Sequence, residues 1–123
     1  MNKKHMLDAL GGICKVVESG NRATSRLLFE MQEKANHGEV HGFMSRKVEL
    51  MRAILRMMPL SSPCCPYCIE MSSPSHAFSK KDCDNCYYGK THGICIDRKK
   101  PSAYASVSKA LDNLMVELRK LED

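Results

Sequence analysis

The chain has no tryptophan and only seven other aromatic residues, so large rings cannot dominate its core. It also lacks an uninterrupted apolar run near the ~18–20 residues a membrane span requires, which predicts no membrane partner. A secretory leader is not expected. Lys3 and Lys4 suit the start of one, but Asp8 and Lys15 fall where its apolar centre would have to lie. Nor is there a nucleophile with a spaced base, a glycine loop for phosphates or a paired-carboxylate motif. No enzyme class and no small-molecule substrate is indicated. Between residues 59 and 101 large aliphatic side chains become scarce and neither helical nor strand periodicity persists, so this stretch needs another source of order.

What is present is an ordinary soluble composition, 43% hydrophobic and 27% charged, in 123 residues. That length predicts one domain, or one core with a small appended module. Nine methionines supply flexible filler for the core. Residues 4–36 carry helical periodicity through Met6, Leu10, Ile13 and Val17, then Thr24, Leu28, Met31 and Ala35. Gly11-Gly12 weakens this helix, and a break or bend is expected near Ser19-Gly20-Asn21. Asn36-His37-Gly38 reads as a helix stop. A second helix follows from about Val40 to Met58, with Met44, Val48, Met51, Leu55 and Met58 as one seam and Pro59 after it. The short connection predicts an antiparallel pair. A last helix runs from Pro101 to about Leu121, where Tyr104, Val107, Leu111, Leu114, Leu118 and Leu121 form a heptad seam. That seam suits either a third bundle member or a homodimer contact.

The cysteines change the argument. Their odd number and the missing leader favour a reducing, cytoplasmic setting, where clustered cysteines hold metal more often than they form disulfides. Cys14 stands apart on the apolar stripe of the first helix and is expected there as a buried thiol. The other six lie within 32 residues. Cys65-Pro66-Tyr67-Cys68 and Cys83-Asp84-Asn85-Cys86 are two Cys-x-x-Cys knuckles separated by fourteen residues. A two-residue gap lets a tight turn aim both sulfurs at one ion, and two such turns complete a tetrahedron with Zn–S near about 2.3 Å. Zinc on Cys65, Cys68, Cys83 and Cys86 is therefore the first expectation. Cys64, His92 and Cys95 stay open as replacements, including a set of Cys68, Cys83, Cys86 and Cys95. An iron–sulfur cluster is the less favoured alternative.

Two short resemblances accompany this reading. Cys83-x2-Cys86-x5-His92-x2-Cys95 is similar to the zinc knuckle of nucleocapsid proteins, with gaps of five and two where those have four and four. It implies an RNA contact. Cys65-Pro66-Tyr67-Cys68 resembles the active-site tetrapeptide of glutaredoxins, which implies a strand before it and a helix after it.

The formal charge is +5, and four thiolates with one divalent ion would lower it to about +3. The basic residues are uneven: Lys80, Lys81, Lys90, Arg98, Lys99, Lys100 and Lys109 face only Asp82, Asp84 and Asp97 over the same stretch. Tyr87 and Tyr88 lie among them. Cations beside aromatics can grip phosphates and stack bases, so Lys80, Lys81, Tyr87, Tyr88, Lys90, Arg98, Lys99 and Lys100 are the candidate contacts to DNA or RNA. Arg46, Lys47, Arg52 and Arg56 form a second basic stripe, expected as a solvated helix face.

The combined expectation is a mainly α-helical protein, a small bundle of about three to four helices. Residues 1–58 form a hairpin, 59–100 a zinc-stabilised, loop-rich module and 101–123 a closing helix. Its expected role is nucleic-acid association or regulation without catalysis. A structural-zinc adaptor for protein partners is the alternative.

Overall fold

A computed structural model describes residues 2–39, 41–72, 83, 85–92, 95 and 102–122. It is mainly helical, and no strand occurs among the described residues. The helices are α1 (Lys3–Asn36), α2 (Phe43–Leu55), α3 (Pro66–Met71), α4 (Tyr87–His92) and α5 (Ala103–Arg119). A single 3₁₀ turn, Ser62–Cys64, precedes α3. No helix is long and apolar enough to cross a membrane among the described residues.

The chain divides into two compact units, one of Met1–Ile13 with Leu60–Ala110, the other of Cys14–Pro59 with Leu111–Asp123. In the first, Asn2 caps α1, its side-chain oxygen accepting the His5 amide at 3.1 Å. Ala9 is buried. A Cβ on Gly12 would overlap the Pro63 carbonyl oxygen, so the helix meets the backbone of the 3₁₀ turn at a distance only glycine permits. Ser102, itself almost fully buried, starts α5 by accepting the Ala105 amide at 3.0 Å.

In the second unit α1 is continuous through Ser19-Gly20-Asn21, where a break or bend was expected, so there is no break. The reason is packing. Met57 occupies the place a Gly20 Cβ would take, so this glycine is spent on close approach and the helix tolerates its poor propensity. The helix then ends as the sequence indicates. Gly38 has a φ of 71°, its amide reaches the Ala35 carbonyl at 3.0 Å, and the Glu39 amide reaches that of Lys34 at 2.9 Å. These are the paired bonds of a Schellman motif. Val48, Ala53 and Leu118 are the buried apolar residues here.

The expected faces are corrected in two places. Met6, Leu10, Leu28 and Ala35 are exposed, and so is Cys14, which does not behave as a buried thiol. Ile13, Val17, Thr24 and Met31 of the expected stripe are half-buried, and so beside them are Gly12, Val16, Gly20, Ala23 and Leu27, with Ala9 buried. Arg52 is not a purely solvated charge. It donates to the Met115 carbonyl at 2.6 Å and ties α2 to α5 within the second unit.

The adjacent glycines of α1 should respond oppositely to alanine. Gly11 has open space around its missing Cβ. Gly11→Ala is expected to stabilise by about 0.5–1 kcal/mol through helix propensity. Gly12→Ala should destabilise by about 1–3 kcal/mol through overpacking against Pro63. Urea denaturation of both variants measures this, and equal shifts in one direction would refute the packing account.

Candidate metal centre

The six clustered cysteines all belong to the first unit. The 3₁₀ turn forms because the Cys64 and Cys65 amides return to the carbonyls of Ser61 and Ser62 at 2.9 and 3.1 Å. It leaves Cys64 buried, with its sulfur 3.5 Å from the Ser61 hydroxyl. Cys65 then caps α3, with Pro66 in the first turn where a missing amide costs nothing. The Ile69 amide closes on the Cys65 carbonyl at 3.1 Å, and that of Ser72 on Cys68 at 3.0 Å. Both thiols of the first knuckle are therefore set by one helical turn.

The second knuckle is also a turn, with the Cys86 amide on the Cys83 carbonyl at 3.1 Å. Gly89 is required behind it, since a Cβ there would stand 2.7 Å from that same carbonyl oxygen. Cys83 is buried, while Cys65, Cys68, Cys86 and Cys95 are half-buried. All seven cysteines are free thiols.

Aromatic contacts join the two knuckles. The Tyr67 ring lies 6.2 Å from that of Tyr87 and 5.8 Å from that of Tyr88, measured between centroids. Tyr67 stands between Cys65 and Cys68, and Tyr87 directly follows Cys86. Stacking at these positions brings the knuckles together without any direct bond between sulfurs. Tyr88 also stacks on His92 at 4.2 Å, nearly parallel. The His92 Nδ1 lies 2.7 Å from the Thr91 hydroxyl, which leaves Nε2 as its remaining nitrogen.

Electrostatics report the same grouping. The Cys68 thiol is pushed up to about 12, first by burial, then by Cys65 through charge and a hydrogen bond, and further by Cys86 and Cys95. Tyr104 is likewise pushed up to about 12 by burial, then by Cys65, Cys95, Cys68 and Cys64. Each thiolate formed here raises the cost of ionising the next. Among the described residues, however, no three His, Cys, Asp or Glu side chains stand close enough to hold one ion.

Of the candidate nucleic-acid contacts, Tyr87 and Lys90 are exposed on α4 and Tyr88 is half-buried against His92 and Tyr67. Lys80, Lys81, Arg98, Lys99 and Lys100 lie outside the described residues. The Cys65–Cys68 tetrapeptide opens a helix, but no strand precedes it among the described residues. Two contributors escaped sequence reasoning, Tyr67 as the tie between knuckles and Tyr104 beside the thiols. An aromatic inside one Cys-x-x-Cys and another directly after the second was the available signal for Tyr67. Compared with protein-family models, curated proteins and solved structures, the chain matches none.

The raised Cys68 value has a direct chemical consequence. At pH 8 a thiol near 12 holds well under about a hundredth of itself as the reactive thiolate. In reduced, metal-free protein, alkylation followed by peptide mapping should label exposed Cys14 at least about ten times faster than Cys68. Equal rates would refute the crowding of thiols around Cys68.

Proposed function

We propose that this chain is a small, non-enzymatic zinc protein whose cysteine-rich segment supports contact with nucleic acid. The observation that carries the metal reading is the packing of Tyr67 on Tyr87 and Tyr88, which sets the two knuckles side by side. Free thiols crowded in this way, with Cys68 held protonated, are what a divalent cation would relieve. The ion would then supply the order that a segment poor in aliphatic residues cannot supply itself. A reducing, cytoplasmic setting suits seven free thiols.

Nucleic acid enters through charge and exposed rings. Tyr87 is 69% exposed and Lys90 stands beyond it on α4, in the stretch that also carries Lys80, Lys81, Arg98, Lys99 and Lys100. Lysine and arginine would neutralise phosphates while an open tyrosine face stacks a base. Elemental analysis and an absorption spectrum of protein purified without oxygen test the metal. About one zinc per chain and no visible colour are expected. A brown, iron-containing protein would replace this reading with the iron–sulfur one. Mixed-sequence RNA and DNA should bind more weakly as salt rises, and glutamate at Lys81, Lys90 and Lys99 should weaken binding by about tenfold or more. Affinity unchanged by salt and by these substitutions would refute the nucleic-acid contact.

A second reading rests on α5. Along it Tyr104, Ser108, Leu111 and Met115 are half-buried and Leu118 is buried, whereas Val107, Leu114 and, just beyond the helix, Leu121 remain 48%, 46% and 49% exposed. Those three lie seven residues apart, one line of a heptad pattern, and would suit a second copy of the chain. On this reading the protein sediments as a dimer, and Leu114→Glu with Leu121→Glu converts it to a folded monomer. A wild-type chain that is monomeric at all concentrations removes the dimer.

A further inference from the structure

We infer that the nucleic acid taken by this chain is single-stranded, with an unpaired base stacked on the open face of Tyr87 and a neighbouring phosphate held by Lys90. This rests on the nucleic-acid reading above and deepens it by naming the form of nucleic acid and the ring that binds it. By sequence alone Tyr87 and Tyr88 are equivalent candidates. Their ring contacts separate them.

Tyr88 packs against two rings, Tyr67 at 5.8 Å and His92 at 4.2 Å, the second within 8° of parallel. It is half-buried and serves as a supporting ring. Tyr87 stacks on Tyr67 at 6.2 Å and 27°, and it is the most exposed large apolar or aromatic side chain among the described residues. A ring backed by one aromatic and otherwise open presents a flat platform. The helix sets its direction. Gly89 marks the side of α4 turned to the second knuckle, where a Cβ would stand 2.7 Å from the Cys83 carbonyl oxygen. Two residues differ by about 200° around a helix, so Tyr87 leaves from the opposite side. Lys90 follows Tyr87 by three residues and is exposed as well. Its amide closes on the Cys86 carbonyl at 3.0 Å, so the cation stands on a formed helical turn. Residues three apart on a helix have Cβ atoms about 5–6 Å from each other, a separation that one nucleotide bridges between its base and its phosphate.

The form of the nucleic acid follows from what a ring face requires. In a duplex each base is already covered above and below by its neighbours, and only base edges show in the grooves. An unpaired base can instead lie flat on an exposed tyrosine. Charge alone gives the opposite preference. A duplex carries the denser row of phosphates, so a surface that binds through charge takes it at least as tightly as a single strand. The order of the two affinities therefore separates a stacking site from a basic surface.

Intrinsic fluorescence gives a direct readout, because the chain has four tyrosines and no tryptophan. A mixed-sequence strand of about ten nucleotides, and the same strand annealed to its complement, are titrated into the full-length protein at equal salt. The single strand should quench tyrosine emission and bind at least about tenfold more tightly than the duplex. Tyr87→Phe should keep that preference, whereas Tyr87→Leu should lose about tenfold for the strand and little for the duplex. Tyr87→Leu also removes the packing on Tyr67, so a second measurement uses wild type alone. Photocrosslinking to a strand that carries bromouracil, followed by peptide mapping, should place the adduct on Tyr87. A duplex bound as tightly as the strand, a strand affinity unchanged in Tyr87→Leu, or an adduct on Tyr88 in place of Tyr87 overturns this inference and leaves the nucleic-acid reading standing. Failure of wild type to bind either form overturns both.

Discussion

The structure depends on α1 presenting backbone rather than bulk to what it touches. At Gly12 the helix meets the Pro63 carbonyl, and at Gly20 it meets the Met57 side chain. A Cβ at Gly12 would run into backbone, and one at Gly20 would require the Met57 side chain to move. These two contacts account for two of the three glycines in the 34-residue helix, Gly11 having open space around it. Met6, Leu10 and Leu28 are exposed. In the first unit the same contact supports the 3₁₀ turn, and that turn leads directly into Cys65 and α3.

Much of the helical layout was legible in the sequence because it depends on local chemistry. The stop at Gly38 needs only a left-handed residue after the last turn, and glycine announces it. α2 covers Phe43–Leu55, shorter at both ends than the expected Val40–Met58, while the helical register of residues 103–119 follows from periodicity. Gly20 was misleading because its meaning is tertiary. As an isolated residue it weakens a helix, and beside Met57 it permits a contact. Cys14 was misplaced as well: Ile13 and Val17 of the same stripe are half-buried, whereas Cys14 is exposed.

The cysteine cluster was legible as a pattern of spacings and only partly as an arrangement. Cys-x-x-Cys pairs indicate where two sulfurs can converge. They do not reveal that Tyr67 would lie against Tyr87 and Tyr88, or that Tyr104, far along the chain, would share the environment of Cys65 and Cys95. Those are long-range facts with no local signature. Proposed roles for the cluster therefore rest on the packing of rings as much as on the thiols.

The turn between α1 and α2 contains two glycines with positive φ, Gly38 at 71° and Gly42 at 72°. Their shared feature is handedness. A left-handed backbone disfavours L side chains by about 1 kcal/mol or more and suits their mirror images. D-alanine introduced at position 38 by chemical synthesis would thus match the backbone that L-alanine strains. The reversal of the chain between these helices is, in this sense, specified by chirality at two points rather than by any side chain.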